Sequence, residues 1–199
     1  DSYRTIAGKS EGIYKEKGSK FIAYAYPLLC EGDVKDILND LRKEHYAARH
    51  HCYAYILFDS IGEKYRINDD GEPSGTAGKP IYNQINKFKL KNVLVVVVRY
   101  FGGILLGTGG LTKAYRNATE VALNNSTQID KFIEQFFEIN FPYVATSEVM
   151  NVLNCYNVSI VSQSYRDICK FNLRVRNSDF ETACNKLINI NNLKLIKFD

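Results

Sequence analysis

The sequence predicts an α+β fold in two domains, because three observations agree. Strand-like and helix-like segments alternate along all 199 residues. All thirteen glycines lie at or before Gly110, so the composition changes beyond that point. A polar cluster at residues 124–127 is typical of a connecting loop. We therefore expect an N-terminal domain of β-α-β type over residues 1–126 and a second domain over residues 127–199.

The first domain is predicted to begin with a hairpin, in which two strand-like segments flank a turn at residues 17–19. Apolar residues at i, i+3, i+4 and i+7, counted from Val34, predict an amphipathic helix over residues 34–46. The same reasoning predicts strands at residues 52–58 and 64–67 and helices at residues 81–88 and 111–123.

The central segment of this domain is a strand followed by a glycine loop. Residues 93–98 form an apolar run without polar alternation, which is typical of a strand buried on both faces. Five glycines follow within nine residues and lead into a helix. Such a unit is the setting of phosphate-binding loops. We expect the loop either to bind an anion through its backbone N–H groups or to serve tight turns and helix packing.

Two nucleotide-binding motifs can be excluded for this loop. Thr108 and Gly109 stand where a Walker loop needs lysine and serine or threonine. Thr112 stands where a dinucleotide-binding motif needs its third glycine. The loop therefore lacks the side chains that phosphate-transfer chemistry requires, and no cofactor is predicted.

A second loop, residues 69–80, carries three carboxylates and precedes a helix. If the loop is aligned with an EF-hand, Arg66 and Ala77 fall at the first and last ligand positions, where neither can bind calcium. No metal is therefore predicted. Polar side chains are expected to support the loop, and Ser74 or Thr76 to cap the helix that follows. The loop-supporting residues are Asp69, Asp70, Glu72, Ser74 and Thr76.

A histidine pair stands at the entry of the strand that begins near Cys52. Because neighbouring side chains on a strand point to opposite faces, His51 does not face Cys52 and cannot activate its thiol directly. A histidine that contacts a phosphate or caps a loop is the expected role here.

The last 73 residues read as β-α-β-β-α-β. Two helices and four short strands in this order predict a ferredoxin-like sandwich. The strands are expected at residues 132–141, 158–165, 168–175 and 193–198, and the helices at residues 144–155 and 178–187.

Composition narrows the class of protein. The net charge of +4 lies in the first domain, which has 18 Lys and Arg against 14 Asp and Glu, whereas the second has 8 of each. A basic excess of this size favours an anionic partner without requiring one. Five scattered cysteines without a CxxC motif indicate reduced thiols. No apolar run approaches the ~20 residues of a membrane span, and residues 1–4 begin no apolar leader, so we expect a cytoplasmic protein.

Three ordered motifs resemble those of the IMPACT/YigZ family. They are HHCYAY at residues 50–55, DDGEPSGTAG at residues 69–78, and RYFGGI, LGTGGL and AY at residues 99–104, 106–111 and 114–115. The resemblance covers residues 1–126, and the tail resembles the small C-terminal domain of bacterial members. Leu105 stands where many members carry lysine, which removes a charge from the glycine loop, and Lys113 stands where arginine is usual.

The resemblance implies a fold and a function. It implies that the first domain is similar to the second domain of a small-subunit ribosomal protein and to domain IV of elongation factor G. The tail would be similar to domain V of that factor. Family members are associated with translation regulation. Eukaryotic relatives act by protein binding in the amino-acid starvation response, and bacterial members are proposed to bind nucleic acid.

We therefore predict a non-catalytic, translation-linked regulator that binds RNA or a ribosome-associated surface, with no catalytic residue, cofactor or metal. The residues expected to contact nucleic acid or another anion are Arg49, His50, Lys79, Arg99, Gly102, Gly103, Gly107, Gly109, Gly110, Lys113 and Arg116.

Two alternatives stay open. An enzyme acting on a small phosphorylated or peptide substrate would use acid, base or metal groups within one pocket, drawn from Asp69, Asp70, Glu72 and His51. A protein-binding regulator would instead expose an apolar patch near Tyr100 and Phe101.

Overall fold

A computed structural model describes residues 2–198, which fall into two compact units. Residues 3–131 form the first, and residues 132–198 with Ser2 form the second, so the chain divides between Lys131 and Phe132. The division lies five residues beyond the predicted boundary. The difference arises because a strand at Gln128–Phe132 (β7) pairs with one at Ser2–Ile6 (β1). Neither strand was expected from the sequence pattern, since each is only five residues long.

The first unit is built on a five-stranded sheet in the order β2-β3-β6-β4-β5. Every neighbouring pair is antiparallel. The strands confirm the predicted ones with small extensions, and they are β2 Ser10–Glu16, β3 Ser19–Pro27, β4 His50–Phe58, β5 Glu63–Asn68 and β6 Val93–Tyr100.

Helices cover both faces of this sheet. Helix α1, Glu31–Glu44, packs on one face, while α2, Gly78–Lys87, and α3, Gly107–Asn124, pack on the other. The side chains of residues 93–98 in β6 alternate between the two cores and are fully buried in both. The apolar run therefore has the double burial that its lack of polar alternation predicts.

Helix α3 begins at Gly107, four residues before the predicted start. Three of the five loop glycines therefore belong to the first turn of the helix, and the loop itself is shorter than expected. Glycine is about 1 kcal/mol less favourable than alanine in a helix, so a glycine-rich first turn resembles a loop in sequence. The prediction that residues 107–110 lie in the loop is wrong for this reason.

The topology brings the three sequence motifs to one end of the sheet. Strands β5 and β6 run in the same direction, because each is antiparallel to β4. Helix α2 follows β5 and α3 follows β6, so both helices begin at the end where these strands finish. Strand β4 starts at that same end, with His50 opposite Arg99 in register.

The second unit has the predicted β-α-β-β-α-β order and a sheet in the order β11-β8-β10-β9. Both helices pack into a core with Phe137, Phe141 and Phe171 of the two central strands. The elements are β8 Glu134–Pro142, α4 Thr146–Cys155, β9 Ser159–Ser164, β10 Ile168–Arg176, α5 Asn177–Ile188 and β11 Lys194–Lys197.

No helix within residues 2–198 is long and apolar enough to cross a membrane.

From the close contact between β2 and α3 we predict how two glycine substitutions change the stability of the protein. A Cβ atom on Gly12 would lie 2.3 Å from the backbone nitrogen of Ala122, whereas one on Gly8 would meet nothing within 4 Å. Because neither backbone can move aside cheaply, we expect Gly12→Ala to lower the free energy of unfolding by about 2–3 kcal/mol. Gly8→Ala should change it by no more than about 0.5 kcal/mol. Urea unfolding measures both, and equal midpoints for the two variants would refute the close approach.

Candidate functional site

The three motifs form what we call the glycine-loop edge, made of residues 49–52, 69–78 and 99–110 at one end of the first unit's sheet. Its centre is an ion pair between Arg99 and Glu72, with Nη1 and Oε1 2.6 Å apart. Both side chains are buried, at 7% and 3% exposure. The hydroxyl of Tyr115 donates to the same Glu72 oxygen at 2.8 Å. Strand β6, the second loop and α3 are thereby joined through one carboxylate.

The position of Arg99 does not fit direct contact with phosphate. Its charge is neutralised by Glu72, and its guanidinium lies 5.4 Å from the ring centroid of Phe21 and 5.6 Å from that of Phe101. The Nε atom is buried and has no hydrogen-bond partner among the described residues. The sequence pattern could not show this burial, because Glu72 lies 27 positions away.

Cys52 extends the buried network from Tyr115 toward the second loop. Its Sγ donates to the carbonyl of Asp69 at 2.9 Å and lies 3.3 Å from the Tyr115 hydroxyl. Burial raises the pKa of the Cys52 thiol and of the Tyr115 phenol far above their ordinary values. Both groups therefore keep their protons, and the thiol is held in its unreactive form. No sequence pattern indicates these roles, although Tyr115 lies in a family motif.

The carboxylate of Asp69 organises the second loop. It accepts hydrogen bonds from three backbone N–H groups, those of Gly75, Ala77 and Gly78, at 2.9, 3.0 and 2.8 Å. These contacts satisfy the amino-terminal turn of α2, which has no side-chain cap from its own N-cap residue. The expected cap from Ser74 or Thr76 is therefore wrong. The Thr76 hydroxyl instead donates to the carbonyl of Pro73 within the loop.

Asp70 connects the same loop to the start of β4. Its carboxylate accepts the backbone N–H of His51 at 2.7 Å and lies 3.7 Å from the Arg42 guanidinium. The Nδ1 atom of His50 donates to the Asp70 carbonyl at 2.8 Å. The His51 ring is buried, and desolvation lowers its pKa, so the imidazole stays neutral.

The carboxylates among the proposed acid–base groups of the enzyme alternative make their contacts within the fold. Within residues 2–198, no hydrogen bond joins the side chains of any two of the proposed acid–base groups, Asp69, Asp70, Glu72 and His51. Each carboxylate instead accepts donors from the fold itself. The three carboxylates that the enzyme alternative needs in one pocket thus form contacts that hold the loops and strands in place.

Four cations lie within the glycine-loop edge or on the helices that begin at it. Arg49, Lys79, Lys113 and Arg116 are all exposed. Among the described residues, none of the four forms an ion pair with a carboxylate. Lys113 and Arg116 are three positions apart on α3 and so share one side of the helix.

The loop also exposes apolar side chains beside these cations. Phe101, Ile104 and Leu105 have 55%, 54% and 83% of their surface accessible. A pocket of about 280 Å³ lies between the loop and the start of α3. Its lining residues are Glu72, Pro73, Arg99, Leu105, Leu106, Gly107, Thr108 and Leu111. An apolar patch near Phe101 is what the protein-binding alternative expects.

The loop glycines serve different purposes. Gly102 packs against the hairpin turn between β2 and β3, where an added Cβ would lie 1.9 Å from the carbonyl carbon of Gly18. Gly103 and Gly107 have φ of +85° and +68°, a region that glycine occupies without strain. Gly109 faces open space, and Gly110 lies close to Leu106.

Comparison with known proteins decides the family. The model of the Impact N-terminal domain matches residues 17–123, more than half of the chain. The chain belongs to the IMPACT family. A Haemophilus influenzae protein named as an IMPACT family member is 36% identical over 166 residues, covering 81% of this chain and 80% of that protein. Escherichia coli YigZ is 36% identical over 134 residues, covering 67% of this chain and 66% of that protein.

One solved structure agrees with the fold of this IMPACT family member. A crystal structure described as that of a hypothetical protein matches all of the chain and 98% of its own, with a TM-score of 0.74 and 28% identity. Yih1, described as a two-domain translational regulator, matches 60% of this chain and 48% of its own, with a TM-score of 0.40 and 22% identity. The second likeness is too distant to support an argument about this chain.

The Asp69 contacts make a second stability prediction. Asp69→Ala removes the acceptor for three backbone N–H groups, two of them in buried residues, so we expect the free energy of unfolding to fall by about 2–4 kcal/mol. Asp59→Ala is the matched control, because its carboxylate also accepts backbone N–H groups but in an exposed turn. The control should cost less than about 1 kcal/mol. Chemical denaturation measures both, and equal losses would contradict the assigned role of Asp69.

Burial of Cys52 makes a prediction about thiol reactivity. Cys30 and Cys155 are exposed, whereas the other three cysteines, Cys52 among them, are buried. We expect iodoacetamide at pH 8 to modify the two exposed thiols of the native protein within minutes and all five thiols in urea. Intact-mass spectrometry with peptide mapping reads the sites. Rapid native labelling of Cys52 would show that its thiol is accessible and would undo the structural assignment.

Proposed function

We propose that this IMPACT family member is a non-catalytic, cytoplasmic regulator of translation that binds the phosphate backbone of RNA through its glycine-loop edge. The observation that supports the proposal most is the separation of charge at this edge. The three carboxylates of the second loop are bound inside the fold, while the cations around them are exposed and unpaired. An outward surface of this kind attracts a polyanion.

The proposed contacts come from side chains that the two parallel-running helices carry at the edge. Lys79 follows the first residue of α2, and Lys113 and Arg116 lie in the second and third turns of α3. Arg49 lies just before β4 at the same end of the sheet. Contacts to backbone phosphates give affinity that depends on salt and little on sequence.

The proposal gives a supporting role to two residues that were expected from the sequence to contact the anion directly. Arg99 is buried against Glu72, and His50 donates to the Asp70 carbonyl. Each holds a loop that carries or flanks an exposed cation. Their substitution is therefore expected to act through the shape of the edge and through stability.

The proposal predicts a salt-dependent RNA affinity that depends on the edge cations. Fluorescence anisotropy with a labelled RNA hairpin, at 50 and 200 mM KCl, measures the slope of log affinity against log salt. Each phosphate contact contributes about 0.7–0.9 to the magnitude of that slope. The variant Lys79→Ala/Lys113→Ala/Arg116→Ala should therefore lower its magnitude by about 2–3 and weaken binding at 50 mM KCl.

A matched control removes the same charges elsewhere. Arg166, Lys186 and Lys194 in the second unit are exposed and form no ion pair among the described residues. The variant Arg166→Ala/Lys186→Ala/Lys194→Ala should bind the hairpin like the parent chain. No binding at 50 mM KCl, or equal weakening by the two triple variants, would contradict an RNA site at the edge.

Docking of a protein partner is a second candidate function, favoured by one specific observation. Phe101, Ile104 and Leu105 are exposed together on a short loop, and phosphate contact does not require apolar groups there. The variant Leu105→Ser separates the two candidates. It removes apolar area and no charge, so it should leave hairpin affinity unchanged and weaken only a protein complex.

A further inference from the structure

Strand β5 is the last strand on one side of the first unit's sheet and is open to solvent. It pairs with β4, and no other described strand lies beside it. Residues 63–67 are all exposed, and only Asn68, whose backbone lies against Gly78 at the start of α2, is partly covered. A terminal strand of this kind presents unpaired backbone groups to any chain that can align beside it.

The contacts of the neighbouring strand show which way the backbone groups of β4 point. The N–H and C=O groups of Phe58 in β4 bond to the side chain of Asn92, which directly precedes β6. Backbone groups of successive residues on a strand point to opposite sides. Those of Tyr55 and Leu57 therefore point away from β6 and toward β5.

The register then identifies the outward groups of β5. The residues of β5 that lie opposite Tyr55 and Leu57 are Arg66 and Lys64, so their backbone groups bond to β4. The N–H and C=O groups of the alternate residues, Tyr65 and Ile67, point away from the sheet. Among the described residues, no strand or turn pairs with them.

The side of β5 that faces α1 is positively charged. Lys64 and Arg66 lie on this side, in register with residues of β4 that belong to the α1 core. Arg66 and Lys35 line a cavity of about 280 Å³ between α1, β4 and β5, whose single lining carboxylate, Glu31, accepts a hydrogen bond from Tyr55. Lys35, Lys64 and Arg66 are exposed and form no ion pair within residues 2–198. This side therefore favours an acidic side chain.

The opposite side of β5 is mainly apolar. Tyr65 and Ile67 lie there, with 57% and 41% of their surface accessible. The Tyr65 ring packs on that of Tyr82 in α2, with the ring centroids 4.6 Å apart. Glu63, the third residue on this side, is paired with Lys91. Because aromatic and β-branched side chains pair favourably across strands, this side favours β-branched apolar residues.

Two other occupants fit this surface less well. An antiparallel pairing with a second copy, centred on Tyr65, would place Lys64 of each copy opposite Arg66 of the other, and like charges in that position are destabilising. A pairing centred on Lys64 or on Arg66 would place that cation opposite itself. The phosphates of an RNA backbone accept hydrogen bonds but donate none, so they would leave the C=O groups of Tyr65 and Ile67 unpaired.

We propose that β5 binds an extended segment of a partner protein as a sixth, antiparallel strand of the sheet. In that segment acidic residues, which face Lys64 and Arg66, alternate with β-branched apolar residues, which face Tyr65 and Ile67. Its main chain exchanges hydrogen bonds with the outward groups of Tyr65 and Ile67, which is the general mode of strand addition. The residues of this surface lie outside the glycine-loop edge, so the inference depends neither on RNA binding nor on docking at the apolar loop.

The test uses the full chain and four fluorescein-labelled peptides. The first is Ser-Gly-Val-Glu-Val-Glu-Thr-Gly, and the second has lysine in place of both glutamates. The third carries N-methyl groups on its two valines, and the fourth carries them on its two glutamates. Fluorescence anisotropy gives the affinities, and amide chemical shifts from NMR locate the site.

The first peptide should shift the amide resonances of residues 63–67, and the lysine peptide should bind more weakly by about tenfold or more. In an antiparallel strand, valines opposite Tyr65 and Ile67 direct their N–H groups toward β5, whereas the glutamates direct theirs to solvent. Methylation of the valines should therefore weaken binding by about tenfold or more. Methylation of the glutamates should weaken it by less than about threefold.

Variants of β5 provide matched controls. Ile67→Pro removes an outward N–H group and no bond to β4, whereas Ile67→Ala shortens the side chain and keeps that N–H. The first should weaken the first peptide by about tenfold or more, and the second by less than about threefold. Lys64→Gln/Arg66→Gln should also weaken it by about tenfold or more. Lys15→Gln/Lys186→Gln removes two exposed cations that make no ion pair in the part of the chain that the structure describes, and should stay within about twofold of the parent chain.

The inference would be overturned by equal affinity of the glutamate and lysine peptides, by equal affinity of the two methylated peptides, or by shifts confined to residues outside β4, β5 and α1. These comparisons use the parent chain, so they hold whatever the proline substitution does to the fold. A dimer in light scattering that Ile67→Pro abolishes would assign the surface to a second copy. Competition between the RNA hairpin and the first peptide would assign it to nucleic acid, and either result would contradict the proposal.

Discussion

The glycine-loop edge depends on the buried ion pair between Arg99 and Glu72. A charge at such low exposure is costly unless a partner and further hydrogen bonds compensate it. Glu72 receives both the Arg99 guanidinium and the Tyr115 hydroxyl, so the end of β6, the second loop and α3 are fixed with respect to one another. Removing either member of the pair leaves the other charge unpaired in the interior. The edge therefore depends on both residues being present and in contact.

The same interactions engage the carboxylates of the second loop inside the fold. The second loop's carboxylates, which an acid–base mechanism would need, are used to hold strands and helix termini. Cys52 and Tyr115 are kept protonated by burial. What remains for the surface is a set of unpaired cations and a short apolar loop. A surface of this composition carries what the two candidate functions require, which is cations for a phosphate backbone and apolar side chains for a protein partner.

Much of the architecture could be predicted from the sequence, because periodicity reports which faces are buried. The double burial of residues 93–98, the amphipathic helix α1 and the order of elements in the second unit followed from that pattern. The start of α3 was missed, because Gly107, Gly109 and Gly110 have the composition of a loop. The sequence motifs lie at one edge of the sheet, as expected, and their part in binding stays a prediction. The contacts of the individual residues could not be predicted, because a buried ion pair such as that of Arg99 with Glu72 joins positions that are distant in the sequence.

A double-mutant cycle on Glu72 and Arg99 tests the central claim most directly. The free energy of unfolding is measured by urea denaturation for the parent chain, Glu72→Ala, Arg99→Ala and the double variant. The account predicts that each single substitution costs about 3–5 kcal/mol, because an uncompensated charge remains buried. The double variant should cost less than the sum of the two by about 2–3 kcal/mol. Losses that add to within about 0.5 kcal/mol would show that the two residues are independent and would contradict the account.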